Sequence, residues 1–201
     1  MNRIGADEVG QILRLVTDPS DRKSASQVCK GWWVMEGLSR STLRVLNIDH
    51  LPRLLASCPK LEAFILDHIS LAEAGSFARL IGGPNSDELE KKVRARMEVG
   101  DQGLCAVANG CPKLSKIVIN NNYAGVLGII AMITSAAHNL THLELEICSL
   151  LTDQALEAIG SSSCRLSFLS FRFSSKITDA GLRFLANGSC SKTIKQLKLC
   201  R

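Results

Sequence analysis

The phrase "LTDQALEAI" (Leu151–Ile159) returns as "ITDAGLRFL" (Ile177–Leu185), and this recurrence decides the fold. A third copy, "VGDQGLCAV", aligns on Asp101, two periods before the first. The intervening copy, "VLGIIAMI" at 126–133, stays apolar but has Leu127 in place of the acid. The two T-D copies offer a Thr or Asp that suits a helix N-cap, and apolar residues follow at helical spacing. Self-similarity at a fixed period of about 26 residues predicts stacked structural repeats.

A second apolar pattern lies between these phrases. From Cys111, apolar residues follow at offsets of three, six and eight, and the alternation at the end of the pattern predicts a short strand. Its copies begin at Cys58, Cys111, Ala137, Ser163 and, two residues late, Ser191, and a shortened copy comprises Leu43, Leu46 and Ile48.

The two patterns together predict an α/β fold. One strand and one helix cannot bury their apolar faces alone, so neighbouring units stack into a solenoid with parallel strands on the concave side and helices on the convex side. We expect about six repeats over residues 41–201. An irregular segment at 82–100, "GGPNSDELEKKVRARMEVG", is charged and lacks the strand pattern.

The cysteines fit the same repeat. "CPKL" and "LELEIC" resemble the cysteine-containing leucine-rich repeat, in which small buried thiols such as Cys58, Cys111 and Cys148 pack between turns. These residues recur at stacked positions, and no C-x-x-C occurs among the eight cysteines. We therefore expect no metal site.

Residues 1–40 follow a different pattern and predict a small helical domain. Two apolar stripes at helical spacing occupy them, namely Val9, Ile12, Leu13 and Val16, then Ala25, Val28, Cys29 and Trp32. "TDPSD" (Thr17–Asp21) predicts a turn between two helices, with Asp21 as the cap of the second. A third short helix is predicted around Gly37.

The stretch "ADEVGQILRLVTDPSDRKSASQVCKGWW" at 6–33 resembles an F-box. The acidic pair Asp7 and Glu8, the D-x-x-D-R turn and the closing V-C-K-x-W carry the resemblance. The sequence of this stretch is most similar to that of the plant F-box/leucine-rich-repeat proteins, the group that includes the auxin and jasmonate receptors. One position departs, since the family's opening Leu-Pro is Ile4-Gly5 here.

This resemblance implies a non-catalytic subunit that recognises substrates for an SCF-type (Skp–cullin–F-box) E3 ubiquitin ligase. Its partners would be a Skp-type adaptor, through it a cullin, and a protein substrate. The adaptor would contact Ile4, Gly5, Val9, Ile12, Leu13, Val28, Cys29, Lys30, Trp32 and Trp33, with Trp32 as the family tryptophan and Trp33 sealing the junction with the first repeat. The concave-face residues expected to hold the substrate are Lys116, Asn120, His142, Glu144, Glu146, Arg172 and Lys198.

Compartment and ligands follow from what the chain lacks. No apolar run approaches the ~18 residues of a membrane helix, and the N-terminus has no apolar signal region, so we expect reduced thiols in the nucleus or cytoplasm. No cofactor is expected. The related receptors bind an inositol phosphate, but this solenoid is much shorter than theirs. Nucleic acid is not among the expected partners.

Three alternatives stay open. Cys29 as a thiol nucleophile lacks a recognisable base, and its helical stripe favours packing. A repeat scaffold that no longer engages the ligase is favoured by Gly5. An acidic-ligand binder is favoured by residues 165–201, which hold eight basic residues and one acidic residue, a balance of +7. Because the chain stops at "LKLCR" (Leu197–Arg201), directly after a strand and without a polar capping unit, we also expect either a truncated chain or one that dimerises or binds something at this edge.

Overall fold

The computed structural model describes residues 5–45, 55, 58–68, 100–121, 125–148, 150–162, 165–174 and 176–200. The predictions on Ile4, Leu46, Ile48 and residues 82–99 lie outside this part of the chain. The helices are α1 (Ala6–Leu15), α2 (Pro19–Ser26), α3 (Lys30–Ser39), α4 (Val126–Ala136), α5 (Asp153–Ser161) and α6 (Asp179–Asn187), with a further helical stretch at 100–110 and a 3-10 turn at Ser189–Lys192. The strands are β1 (Thr42–Val45), β2 (Ala63–His68), β3 (Lys116–Asn121), β4 (His142–Glu146), β5 (Phe168–Arg172) and β6 (Gln196–Cys200).

The strands form one parallel sheet whose order follows the chain from β1 to β6. The pairing register reproduces the sequence period, because Lys116 lies beside His142 and His142 beside Phe168, each one period further along the chain. Phe168 then pairs with Gln196, which reproduces the two-residue delay. The α/β class and the parallel sheet are therefore confirmed.

The core lies between one face of this sheet and the helices. Along β4 the side chains alternate, with Leu143 and Leu145 fully buried and their neighbours half-exposed, as a strand with one covered face requires. The helices supply the opposite layer with residues such as Met132, Leu156 and Ile159. The other face of the sheet, which we call the open face, carries the alternate strand residues. No helix among the described residues is long and apolar enough to cross a membrane.

The first strand differs from its prediction. The shortened repeat copy aligned Leu46 and Ile48 with the buried pair of β2, but Leu43 and Val45 pair with Phe64 and Leu66 instead. Leu43 and Val45 are 4% and 6% exposed. In "TLRV" they already stand two residues apart, so strand alternation alone places both on the core face.

Acidic residues of the repeated phrase tie the helical stretch at 100–110 to α4, and α5 to the start of α6. Asp101 accepts a hydrogen bond from the Gly128 amide (2.9 Å), and Asp153 accepts bonds from the Thr178 amide (2.8 Å) and hydroxyl (2.6 Å). These bonds lower the pKa of Asp153. A Cβ at Gly128 or Gly181 would collide with the carboxylate that covers it. Each of these acidic residues therefore requires a glycine opposite it.

The copy that lacks the acid leaves this link unmade. Leu127 stands one period before Asp153 and is 72% exposed. Thr152 stands one period before Thr178, and its buried Oγ1 has no hydrogen-bond partner among the described residues. Ala155 occupies the position of Gly181, as expected where no carboxylate lies opposite.

Replacing Leu127 with aspartate should therefore stabilise the protein by about 1 kcal/mol, the net value of one intramolecular hydrogen bond. The new carboxylate would lie at the start of α4 and accept a bond from Thr152. Urea unfolding measures the gain. In a Thr152→Val background the gain should shrink to the contribution of a charge near a helix N-terminus. An undiminished gain there would show that the new carboxylate does not bond to Thr152.

A second ladder links the strand starts. The hydroxyls of Ser115, Thr141 and Ser167 each donate to a carbonyl of the preceding unit, at 3.2, 3.1 and 3.0 Å. The three residues are spaced by 26 along the chain, so this ladder has the same period as the apolar pattern and can be predicted from the sequence.

Candidate functional site

The first three helices begin at residues suited to that place. Asp7 and Glu8 lie in the first turn of α1, and the Glu8 carboxylate accepts a bond from the Gly5 amide (2.7 Å). Asp18, not Asp21, caps α2, because its carboxylate accepts from the amides of Ser20 (2.8 Å) and Asp21 (3.1 Å). With Pro19 at the first helical position, the cap falls on the residue before it.

The predicted second stripe spans two helices. The last turn of α2 tightens, because the amides of Gln27 and Val28 donate to the carbonyls three residues before them. Cys29 then has an extended backbone, with φ −164°. α3 then starts at Lys30, so both tryptophans belong to the third helix. Cys29 is consequently exposed, and the prediction that it lies on a helical stripe is wrong.

A largely shielded arginine connects all three helices. Arg22 of α2 donates to the Leu13 and Val16 carbonyls (2.7 and 3.3 Å) at the end of α1. It also donates to the carboxylate and the carbonyl of Glu36 in α3, at 2.9 and 3.1 Å. Arg40 makes a further ion pair with Glu36 at 2.7 Å. The side chains of Arg22 and Glu36 are 15% and 7% exposed, so the pair is largely shielded from water.

The residues predicted to bind an adaptor divide into two groups. Val9 (4% exposed) and Leu13 (1%) belong to the core between the helices and offer no contact surface. Gly5, Cys29 and Lys30 are exposed, Trp32 is half-buried, and Ile12 (46%), Val28 (63%) and Trp33 (57%) are exposed apolar residues. The 57% exposure of Trp33 does not favour the expectation that it seals the junction with the first repeat.

Two further exposed apolar residues were missed. Leu15 is 82% and Val34 46% exposed. Leu15 follows Ile12 by three residues on one side of α1, and Val34 follows Trp33 directly on α3. Periodicity could not identify them, since a helical stripe does not indicate which of two apolar faces the core covers.

Five of the ten large apolar side chains that are exposed in the described part of the chain thus lie within residues 12–34. We call Ile12, Leu15, Val28, Trp33 and Val34 the helical docking set. Exposed apolar side chains are common singly, but a concentration marks an interaction site.

A family model described as F-box matches residues 6–42, a span that covers α1 to α3 and the start of β1. The chain therefore carries an F-box domain. Such domains generally bind Skp-type adaptors and belong to non-catalytic adaptor subunits.

The open face of the sheet carries the other predicted site residues. Glu146 and Arg172 form an ion pair at 2.7 Å, and Arg44 pairs with Asp67 at 2.6 Å. His142 stacks on Phe168, with ring centroids 4.2 Å apart and planes 2° from parallel. Asn120 lies in register with Glu146, and its side-chain Oδ1 has no hydrogen-bond partner within the described part of the chain.

The chemistry of the cysteines favours packing. Burial raises the pKa of Cys58 and of Cys111, so both thiols are protonated at neutral pH. Cys58, Cys111 and Cys148 are 5%, 1% and 0% exposed, as predicted for positions between repeats. In the described part of the chain, no three His, Cys, Asp or Glu residues converge in a way that could hold a metal.

The basic charge of residues 165–201 is spread over the surface. Arg183 lies on α6, Lys192 on the 3-10 turn, and Lys198 and Arg172 on the open face. Arg172 is already paired with Glu146. This distribution does not favour a single acidic-ligand site made by the whole C-terminal end.

Proposed function

We propose that this protein is the substrate-recognition subunit of an SCF-type E3 ubiquitin ligase, acting in the nucleus or cytoplasm. The F-box domain at 6–42 carries the proposal. No chemistry would occur on this chain. Its role would be to hold a protein substrate and an adaptor together, which raises the effective concentration of the substrate near the ligase.

The second part of the proposal is that residues 41–201 form a leucine-rich-repeat solenoid behind an F-box at 1–40. The strand register of one repeat period supports it, as do the Asp101 and Asp153 links from one helix to the next. Solenoids bind partners along the face that their strands line. The open face is accordingly the proposed substrate surface.

The helical docking set would provide the apolar contacts with the adaptor. Trp33 is the largest of its members, and exposed tryptophans are the residue type most enriched among energetic hot spots of interfaces. Val9 and Leu13 would contribute indirectly, by holding α1 against α3.

A binding titration with the purified Skp-type adaptor tests the proposal. The native chain should bind, and Trp33→Asp should weaken binding by about 30-fold, equivalent to a hot spot worth about 2 kcal/mol. Phe184→Asp is the matched control, since Phe184 is 43% exposed on α6 and lies far along the chain from the F-box. Failure of the native chain to bind, or an equal loss in the control, would contradict the proposal.

The competing scaffold hypothesis loses its main support in the geometry of Gly5. This residue has φ −71° and ψ 162°, a backbone that proline adopts without strain, so glycine does not divert the chain entering α1. The Gly5 amide also donates to Glu8, a bond that proline cannot make. We therefore do not expect Gly5→Pro to improve adaptor binding.

A further inference from the structure

The open face contains a group of cationic and aromatic side chains that take no part in its arginine–carboxylate ion pairs. The charges cancel within the Arg44–Asp67 pair and within the Arg172–Glu146 pair. Lys116 and Lys198 have no carboxylate partner among the described residues, and they flank the stacked rings of His142 and Phe168. We call these four residues the cation–aromatic cluster.

The cluster is continuous across four strands. Lys116 of β3 lies in register with His142 of β4, whose ring stacks on Phe168 of β5. The Lys198 ammonium of β6 lies 5.2 Å from the centre of the Phe168 ring, a cation–π distance. Three strand spacings separate β3 from β6, about 14 Å. Lys116 therefore lies beside the His142 end of the stacked rings, and Lys198 lies over the Phe168 end.

The pKa of His142 is lowered mainly by burial, and charged groups on three strands act on it as well. Burial lowers the pKa of His142, and Lys116 on β3 and Lys198 on β6 lower it further, whereas Glu144 on its own strand, 3.5 Å away, raises it. Phe168 on β5 adds no charge. At neutral pH the imidazole is uncharged, so the cluster together with Glu144 keeps one net positive charge.

We propose that the cation–aromatic cluster binds an acidic peptide segment of the substrate, with two carboxylate side chains about four residues apart and an apolar residue between them. Four residues of extended chain span about 14 Å, which matches the separation of the strands that carry the lysines. The apolar residue would lie against the ring edges of the His142–Phe168 stack, because His142 and Lys198 cover the faces of the Phe168 ring. This assignment rests on the proposed function, because it names the class of substrate for the same surface.

A nucleic acid fits the cluster less well. Glu144 lies on the same face, on a strand between those of the two lysines, and its charge would repel a continuous phosphate backbone that crosses it. The Phe168 ring has His142 against it and Lys198 over it, so its surfaces are not open for base stacking. Separate carboxylates on a peptide avoid the first problem, since they need to meet only the two lysines.

Binding should depend on pH through His142. A bound carboxylate favours the imidazolium and raises the pKa of His142, so the complex takes up a proton. Affinity should then increase as the pH falls from about 7 to about 5, and level off once the free protein is also protonated. His142→Gln should remove this dependence while keeping most of the affinity at neutral pH.

Fluorescence anisotropy with the full chain and a labelled GSESLSEG-type peptide tests the proposal. Lys116→Glu and Lys198→Glu should each weaken binding at least about 10-fold, while Lys192→Glu, an equal charge change on the 3-10 turn, should change it less than about 2-fold. A peptide with glutamine at both acidic positions should bind at least about 10-fold more weakly.

Equal binding of the glutamine peptide, an equal loss with Lys192→Glu, or tighter binding of single-stranded dT oligonucleotide than of the peptide would overturn the proposal. Adaptor binding by the same variants separates it from the proposed function. Lys116→Glu and Lys198→Glu should bind the Skp-type adaptor as the native chain does. A native chain that binds the adaptor but not the peptide refutes only the peptide assignment.

Discussion

Replacing Arg22 with alanine is expected to destabilise the F-box helices by about 3 kcal/mol, the lower end of the cost of breaking a buried ion pair. Arg22 donates to the end of α1 and to Glu36 of α3. Its removal leaves Glu36, 7% exposed, with Arg40 as its remaining ion-pair partner among the described residues. The Leu13 carbonyl loses a donor at the same time.

Amide hydrogen exchange measures this effect within the full chain. The amides of α1 to α3 should exchange about 100-fold faster in the variant, which is the factor that about 3 kcal/mol of lost opening free energy implies. Lys23→Ala is the control, because Lys23 is exposed and adjacent on the same helix. Its exchange should stay near native, as for most surface substitutions. Equal rates in the two variants would show that the Arg22 network contributes nothing.

Replacing Leu143 with alanine is expected to cost about 3 kcal/mol of unfolding free energy, as for other leucines truncated in a packed core. Leu143 is fully buried in β4 between Ile117 and Leu169, which are fully buried too. The cavity would open in the middle of the sheet, where neighbours on both sides hold the strand in place.

Leu197→Ala is the matched control for this prediction. Leu197 pairs with Leu169 in the same row of the sheet but is 46% exposed. Its truncation should cost about 1 kcal/mol or less, since much of its surface already faces water. Urea unfolding followed by far-ultraviolet circular dichroism compares the two. Equal losses would mean that Leu143 is less well packed than its burial indicates.

The repeat period was enough to predict strands β2 to β6, their parallel order and the core residues of β2 to β5. The same period also predicts polar contacts between neighbouring repeats. Arg172 stands one period after Glu146, so the register itself predicts that the two are neighbours on adjacent strands. The Asp153–Thr178 link and the hydroxyl ladder follow from nearly the same spacing.

The helical domain was harder to predict because it has no period to check against. Asp18 and Asp21 both suit a cap, and only the position of Pro19 distinguishes them. The break between Ser26 and Lys30 contains no glycine or proline, so no local signal indicates that the apolar stripe ends there. Burial of Val9 and Leu13 rather than Ile12 and Leu15 depends on how α1 packs on α3, which no local pattern in α1 specifies.

Hydrogen–deuterium exchange of the full chain with and without the purified Skp-type adaptor tests the central claim most directly. The claim predicts a complex in which the adaptor slows exchange in α1 and α3, around Ile12 and Trp33, and leaves strands β3 to β6 unchanged. The absence of a complex, or slowed exchange confined to the strands, would contradict it.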